Sequence, residues 1–187
     1  MQLVTQTYSQ RYEVKKSVFI SYLTPISEFD SLIKTLKIEH PKASHIIYAY
    51  RKLNEFDQIV ENSSDDGEPK GCAGAPTLSV LRGEKIINSA LITVRYFGGT
   101  KLGTGGMIRG YGTGAKEVIK SAEFKIYEKR FSISFETLYA LVNRYEHYFN
   151  HENITYPTRD FRATTVLWEL DLTEEEIKKF KIFKQNL

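Results

Sequence analysis

Apolar and polar positions follow two rhythms along this chain, one of period two and one near 3.6, and the switches between them mark its elements. Val14 to Leu23 contains SVFISYL, where Val18, Ile20 and Tyr22 alternate with Phe19 and Ser21, and predicts a strand. In Ser27 to His40, Phe29, Leu32, Ile33 and Leu36 fall on one helical face, with Ser27 placed to cap the start and Pro41 following the end. HIIYAYR, His45 to Arg51, predicts a second strand. Residues 52 to 72 are polar, and Asp66-Gly67 before Glu68-Pro69 favours turns, so this stretch reads as an irregular connection.

Ala75 to Arg82 predicts a short helix, with Pro76 in its first turn and Gly83 at its end. SALITVRYF, Ser89 to Phe97, is apolar almost throughout and predicts a central strand buried on both faces. A helix follows from about Thr104 to Ser121. Beyond it come a strand (Arg130 to Glu136), a helix (Leu138 to Phe149), two hairpin-like strands (Ile154 to Asp160 and Ala163 to Leu170) and a last helix capped by Thr173. That second part has the order β-α-β-β-α, a ferredoxin-like unit with its final strand missing. The expected division is residues 1–124 and 125–187, and the fold class is α+β.

Composition changes this picture little. Of 187 residues, 41% are apolar and 26% charged, enough to bury a core. Cys72 stands alone, so no internal disulfide forms, which fits a reducing compartment. No apolar run reaches membrane-span length and the N-terminus lacks a signal-type core, so the expected location is cytoplasmic, without membrane partners.

Charge changes it more. Residues 125–187 balance ten basic against ten acidic side chains, so the net +3 belongs to the first part. Within residues 82–120, seven basic residues face only Glu84 and Glu117. This local positive field surrounds RYFGGTKLGTGGMIRGYGTG, residues 95–114, and attracts phosphate.

Several features of that stretch have separate reasons. Gly98 and Gly99 follow the strand where the chain must turn. Gly103, Gly105 and Gly106 lie at the start of the next helix, whose first N–H groups have no intrahelical partner and make an anion site with the helix dipole. Arg95, Lys101 and Arg109 add charge. Gly106, Gly110 and Gly114 recur every four residues, and in a helix each costs about 1 kcal/mol against Ala. Close approach of helix to sheet is the expected compensation. GGTKLGTGG lacks the Gly-Lys-Ser/Thr ending of a Walker A loop, and the spacing is not the dinucleotide fingerprint. Other cleft candidates are His45, Arg51, Asp65, Asp66 and Glu68. His45 at a strand end suits a general base or a structural histidine, and the carboxylates suit a divalent ion or a solvated turn. No set of residues has metal-ligand spacing and no complete catalytic set is visible, so no metal, cofactor or catalytic residue is assigned.

The block from Ser64 to Gly114 carries a resemblance. SDDGEPKGCAG and VRYFGGTKLGTGGMIRGYG, with His45 and Ala49-Tyr50-Arg51 upstream, resemble bacterial members of the IMPACT/YigZ family, most clearly over residues 10 to 122. The resemblance implies an N-terminal two-layer α/β sandwich like the second domain of ribosomal protein S-five, and a C-terminal ferredoxin-like domain similar to one of elongation factor G. It implies work in translation, with RNA, the ribosome or a translation-related protein as partner. Eukaryotic members use an extra N-terminal domain in addition to this one, so their kinase regulation is not expected to carry over. Two further readings stay open: a small-molecule-kinase-like enzyme holding nucleotide on the same loop, and a protein-interaction module.

Overall fold

The computed structural model describes residues 1–155 and 158–187. The chain divides into two units, Met1–Tyr127 and Glu128–Leu187. Residues 125–127 belong to the first because β1 (Gln2–Leu3) pairs antiparallel with β7 (Lys125–Ile126).

The first unit is built on a five-stranded antiparallel sheet. Its strands are β2 (Tyr8–Val14), β3 (Ser17–Pro25), β4 (His45–Leu53), β5 (Ile59–Ser64) and β6 (Ser89–Tyr96), in the order β2-β3-β6-β4-β5. The central position of β6 explains its sequence, because every residue from Ser89 to Arg95 is buried. Helices α2 (Gly74–Gly83) and α3 (Gly103–Lys120) cover one face over Phe19, Leu23, Ile47, Ala49 and Leu91. Sheet and helix pair form the sandwich, and α1 (Phe29–Glu39) packs on the opposite face against Ile46, Ile92 and Val94.

Three expectations are corrected here. Val14 to Leu23 is not one strand. Lys15 and Lys16 both take positive φ, 47° and 65°, and turn the chain between β2 and β3. Residues 52 to 72 are not all irregular, since β4 continues to Leu53 and IVENSS forms β5. An edge strand needs no apolar face on both sides, so its polar sequence hid it. Ser27 does not cap α1. It lies inside a 3₁₀ turn, Ile26–Glu28, that leads into the helix.

The second unit pairs β8 (Arg130–Leu138), β10 (Thr165–Thr173) and β9 (Thr158–Phe161) antiparallel, in that order. Helices α4 (Val142–His151) and α5 (Glu174–Gln185) bury one face around Tyr145, Phe149, Trp168 and Phe180. Thr173 accepts from the Glu176 N–H and Glu176 reaches back to the Thr173 N–H, a reciprocal cap on α5. Of the expected strand Ile154 to Asp160, residues 156 and 157 lie outside the described residues. Among the described residues, no helix is long and apolar enough to cross a membrane.

Candidate anion and ligand site

The site forms where β6 ends, the loop before α2 folds back, and α3 begins. Arg95 is the last buried residue of β6, and its guanidinium pairs with the Glu68 carboxylate. The same Glu68 oxygen accepts from the Tyr111 hydroxyl at 2.6 Å, and the His45 Nε2 stands 3.8 Å from the other oxygen. Phe19 holds the group from the sheet side, edge-on to Tyr111 at 5.0 Å and under the Arg95 guanidinium at 5.6 Å. Burial, then the bond to Glu68, push the Tyr111 hydroxyl far above its ordinary range, so it remains a donor.

His45 Nδ1 meets the Asp66 carbonyl at 2.7 Å, and a carbonyl only accepts, so this nitrogen donates and Nε2 is turned toward Glu68. Register explains the encounter. His45 lies opposite Arg95 in the β4–β6 ladder, and Gly67, at φ 84°, brings the loop against the imidazole.

The three acidic candidates do not converge. Asp65 accepts from the N–H groups of Gly71, Ala73 and Gly74 at 2.8, 3.0 and 2.8 Å. Those last two open α2, which has no cap of its own at Ala73, so Asp65 caps the helix from the preceding loop. Burial raises the Asp65 pKa, but the three backbone donors outweigh it and hold the carboxyl below its ordinary value. Asp66 accepts from the Ile46 N–H at 2.7 Å, and Glu68 serves Arg95 and Tyr111. Among the described residues, no group of His, Cys, Asp and Glu is placed to hold a metal ion.

Arg51 lies away from the cleft. It is six residues along β4 from His45, about 20 Å in an extended strand, where it bonds Glu61 and the Ile86 carbonyl. Cys72 is buried.

The glycines separate by what a side chain would meet. A Cβ on Gly98 would fall 2.0 Å from the Lys16 backbone, so Gly98 lets the β2–β3 turn close against the loop. On Gly110 it would meet the Phe19 ring at 2.7 Å, and on Gly114 the Ser21 hydroxyl at 2.9 Å, which is the helix-to-sheet approach. Gly106 differs from that pair, since its neighbour is Leu102 at the start of the same helix. Gly99 and Gly103 take φ 83° and 71° and have open space around them.

What faces outward is the start of α3. No side chain caps it, its first turn holds no acid, and Gly103, Thr104 and Gly105 are exposed. Lys101 is exposed just before it. The Arg109 guanidinium folds back to 3.6 Å from the place a Cβ on Gly105 would occupy. Beside the helix start is a cavity of about 350 Å³. Pro69, Phe97, Leu102 and Met107 give it apolar walls, while Glu68 and Arg95 line it from the buried network. Tyr111, Phe97 and Met107 were not singled out by the sequence, nor was the lysine pair of the β2–β3 turn beside Gly98. A buried tyrosine needing a hydroxyl partner was the one available signal.

The model of the Impact N-terminal domain matches residues 15–119, which take in β3 to β6, α2 and nearly all of α3. The chain belongs to the IMPACT family. An IMPACT family member of Haemophilus influenzae is 33% identical over 171 residues, covering 90% of this chain and 82% of that protein. The IMPACT family member YvyE of Bacillus subtilis is 41% identical over 107 residues, 56% of this chain and 48% of its own length. A crystal structure described as a hypothetical protein covers 96% of this chain and 88% of its own, with a TM-score of 0.70 and 26% identity. This IMPACT chain therefore shares both its units with a solved relative, and its glycine-rich stretch lies within the matched domain.

Proposed function

We propose that this protein is a translation-associated regulator that binds RNA, alone or in the ribosome, through the sugar-phosphate backbone at the start of α3. The observation that carries this reading is the open helix start itself. The first N–H groups of a helix have no intrahelical partner, no side chain caps them here, and Gly103, Thr104 and Gly105 lie exposed between Lys101 and Arg109 with nothing acidic in the turn.

Two arrangements support it. Arg109, Lys116 and Lys120 fall at i, i+7 and i+11 on α3, a basic stripe about 16 Å long running away from the loop. Lys15 and Lys16, both exposed, turn the chain beside Gly98. Such a track positions a phosphate backbone without reading base sequence. On the second unit, the sheet face opposite Val166, Trp168 and Leu170 carries exposed Glu136, Asp160, Glu169 and Asp171, the first two paired with Arg162, so this face offers no basic track.

Arg95 takes little part in this attraction, because Glu68 already balances its charge. The kinase-like reading is weakened by the acids it would need, since Asp65, Asp66 and Glu68 are each spent on protein donors.

The test is RNA and ribosome binding by the whole chain across a salt series, beside Lys101→Ala/Arg109→Ala. Affinity should fall with salt, and the variant's slope should be shallower by roughly one to two units. Tight binding with an unchanged slope in the variant would move the site elsewhere, and no binding even at low salt would reject the reading.

A further inference from the structure

The cavity beside the open helix start does not suit a phosphate. Its walls, Pro69, Phe97, Leu102 and Met107, are carbon and sulfur, and a strongly hydrated anion would lose its solvation against them without compensation. Yet the cavity meets the anion-attracting turn directly, because Lys101, Gly103 and Thr104 form its other border. A ligand that uses both halves carries an apolar, flat group one or two bonds from a negative charge. We infer that this cavity receives a single unstacked nucleobase whose own phosphate rests on the α3 N-terminus. This inference rests on the phosphate reading above and goes further, since it makes the ligand single-stranded.

Three observations converge on it. Phe97 is 50% exposed at the cavity's edge, a large aromatic ring left half in water where β6 ends. A ring in that position offers a stacking platform for a base of any identity. The Arg95 side chain, 6% exposed, lines the cavity, and its buried Nε–H has no hydrogen-bond partner among the described residues. A buried donor left unpaired is rare and costly, and the guanidinium that carries it borders the space a base would fill, with ring nitrogens and carbonyl oxygens that accept. Finally, about 350 Å³ is at the small end of ligand cavities, which run from about 300 to 1,000 Å³, so it suits one nucleotide and not an extended cofactor.

Duplex RNA cannot satisfy this site, because its bases are paired and stacked inside the helix. Single-stranded RNA and a free mononucleotide share the required chemistry, and the experiment separates them.

The whole chain is titrated with four probes: a single-stranded RNA hexanucleotide, a same-length chain of abasic sugar phosphates, a duplex of the same sequence, and AMP. Phe97→Ala, a substitution at a half-exposed position, is measured beside the wild type, with its fold checked by circular dichroism. The hexanucleotide should bind about tenfold or more tighter than the abasic chain and the duplex. Phe97→Ala should erase that margin and leave the abasic affinity unchanged. Equal binding of all three polymers, still weakened by Lys101→Ala/Arg109→Ala, would overturn the base pocket and leave the phosphate reading standing. Binding of AMP that depends on Phe97, without binding of any polymer, would keep the pocket and reject RNA as its source. Absence of all binding would remove both.

Discussion

Tyr111 on α3 donates its hydroxyl to Glu68 in the loop before α2 across 2.6 Å, and the accepting oxygen is the one that holds the Arg95 guanidinium. One carboxylate thus fastens a helix, a loop and the central strand, with only 3% of its side chain exposed. Removing it strands the most expensive partner. Glu68→Gln should destabilise the protein by about 3–5 kcal/mol, because a buried guanidinium is left without its counter-charge. Replacing both residues, Glu68→Gln with Arg95→Met, should recover much of the loss, since an apolar side chain of similar length needs no partner. Urea denaturation of the two variants checks this, and a double variant no better than the single one would show that the pair matters for something other than charge balance.

Tyr111→Phe isolates the helix arm of the same junction. The ring keeps its edge contact with Phe19, and only the hydroxyl is lost. The expected cost is about 1.5–3 kcal/mol, the range for a hydrogen bond to a charged group. A cost near zero would mean that Arg95 alone satisfies that oxygen.

The glycines give predictions of opposite sign. Gly98→Ala places a methyl 2.0 Å from the Lys16 carbonyl carbon, which is backbone and has no rotamer to yield, so the β2–β3 turn must move. The expected loss is about 3 kcal/mol or more, and under the proposed function RNA binding should weaken as the loop shifts. Gly112→Ala meets nothing within 4 Å and lies inside α3, so it should stabilise by about 0.5–1 kcal/mol through helix propensity. Thermal melts of the two proteins should move in opposite directions. A destabilised Gly112→Ala would point to a ligand or partner approaching the α3 backbone there.

These pairs show what was legible in the sequence. SALITVRYF announced a strand covered on both faces, and β6 is the middle of five. The glycine-rich stretch announced an open helix start, and the backbone provides one. Register stayed hidden. Nothing in HIIYAYR says that His45 lies opposite Arg95 while Arg51 lies opposite Ser89 at the far end. The edge strands β2 and β5 were missed because an edge can be polar on both faces, and their alternation is correspondingly faint. Asp65, Asp66 and Glu68 suited a divalent ion or a solvated turn from their spacing, but in the fold each carboxylate takes a different set of protein donors.

Asp65 supplies the last prediction. Its carboxylate caps α2 through three backbone N–H groups, which hold its pKa below the ordinary value despite burial. A group whose pKa is lower in the folded state stabilises that state above its unfolded pKa, about 4 for Asp, and stops doing so as pH falls through the folded value. The acid side of the stability curve should therefore drop below about pH 4. Asp65→Asn should cost about 1.5–3 kcal/mol at neutral pH, because the amide keeps acceptors for Ala73 and Gly74 on one oxygen but turns an N–H toward Gly71. The variant's stability should also fall less steeply below pH 4 than the wild type's. Parallel acid limbs in the two proteins would place the proton uptake on another carboxylate, with Glu61 next to be tested because Arg82 and Arg51 hold its pKa down as well.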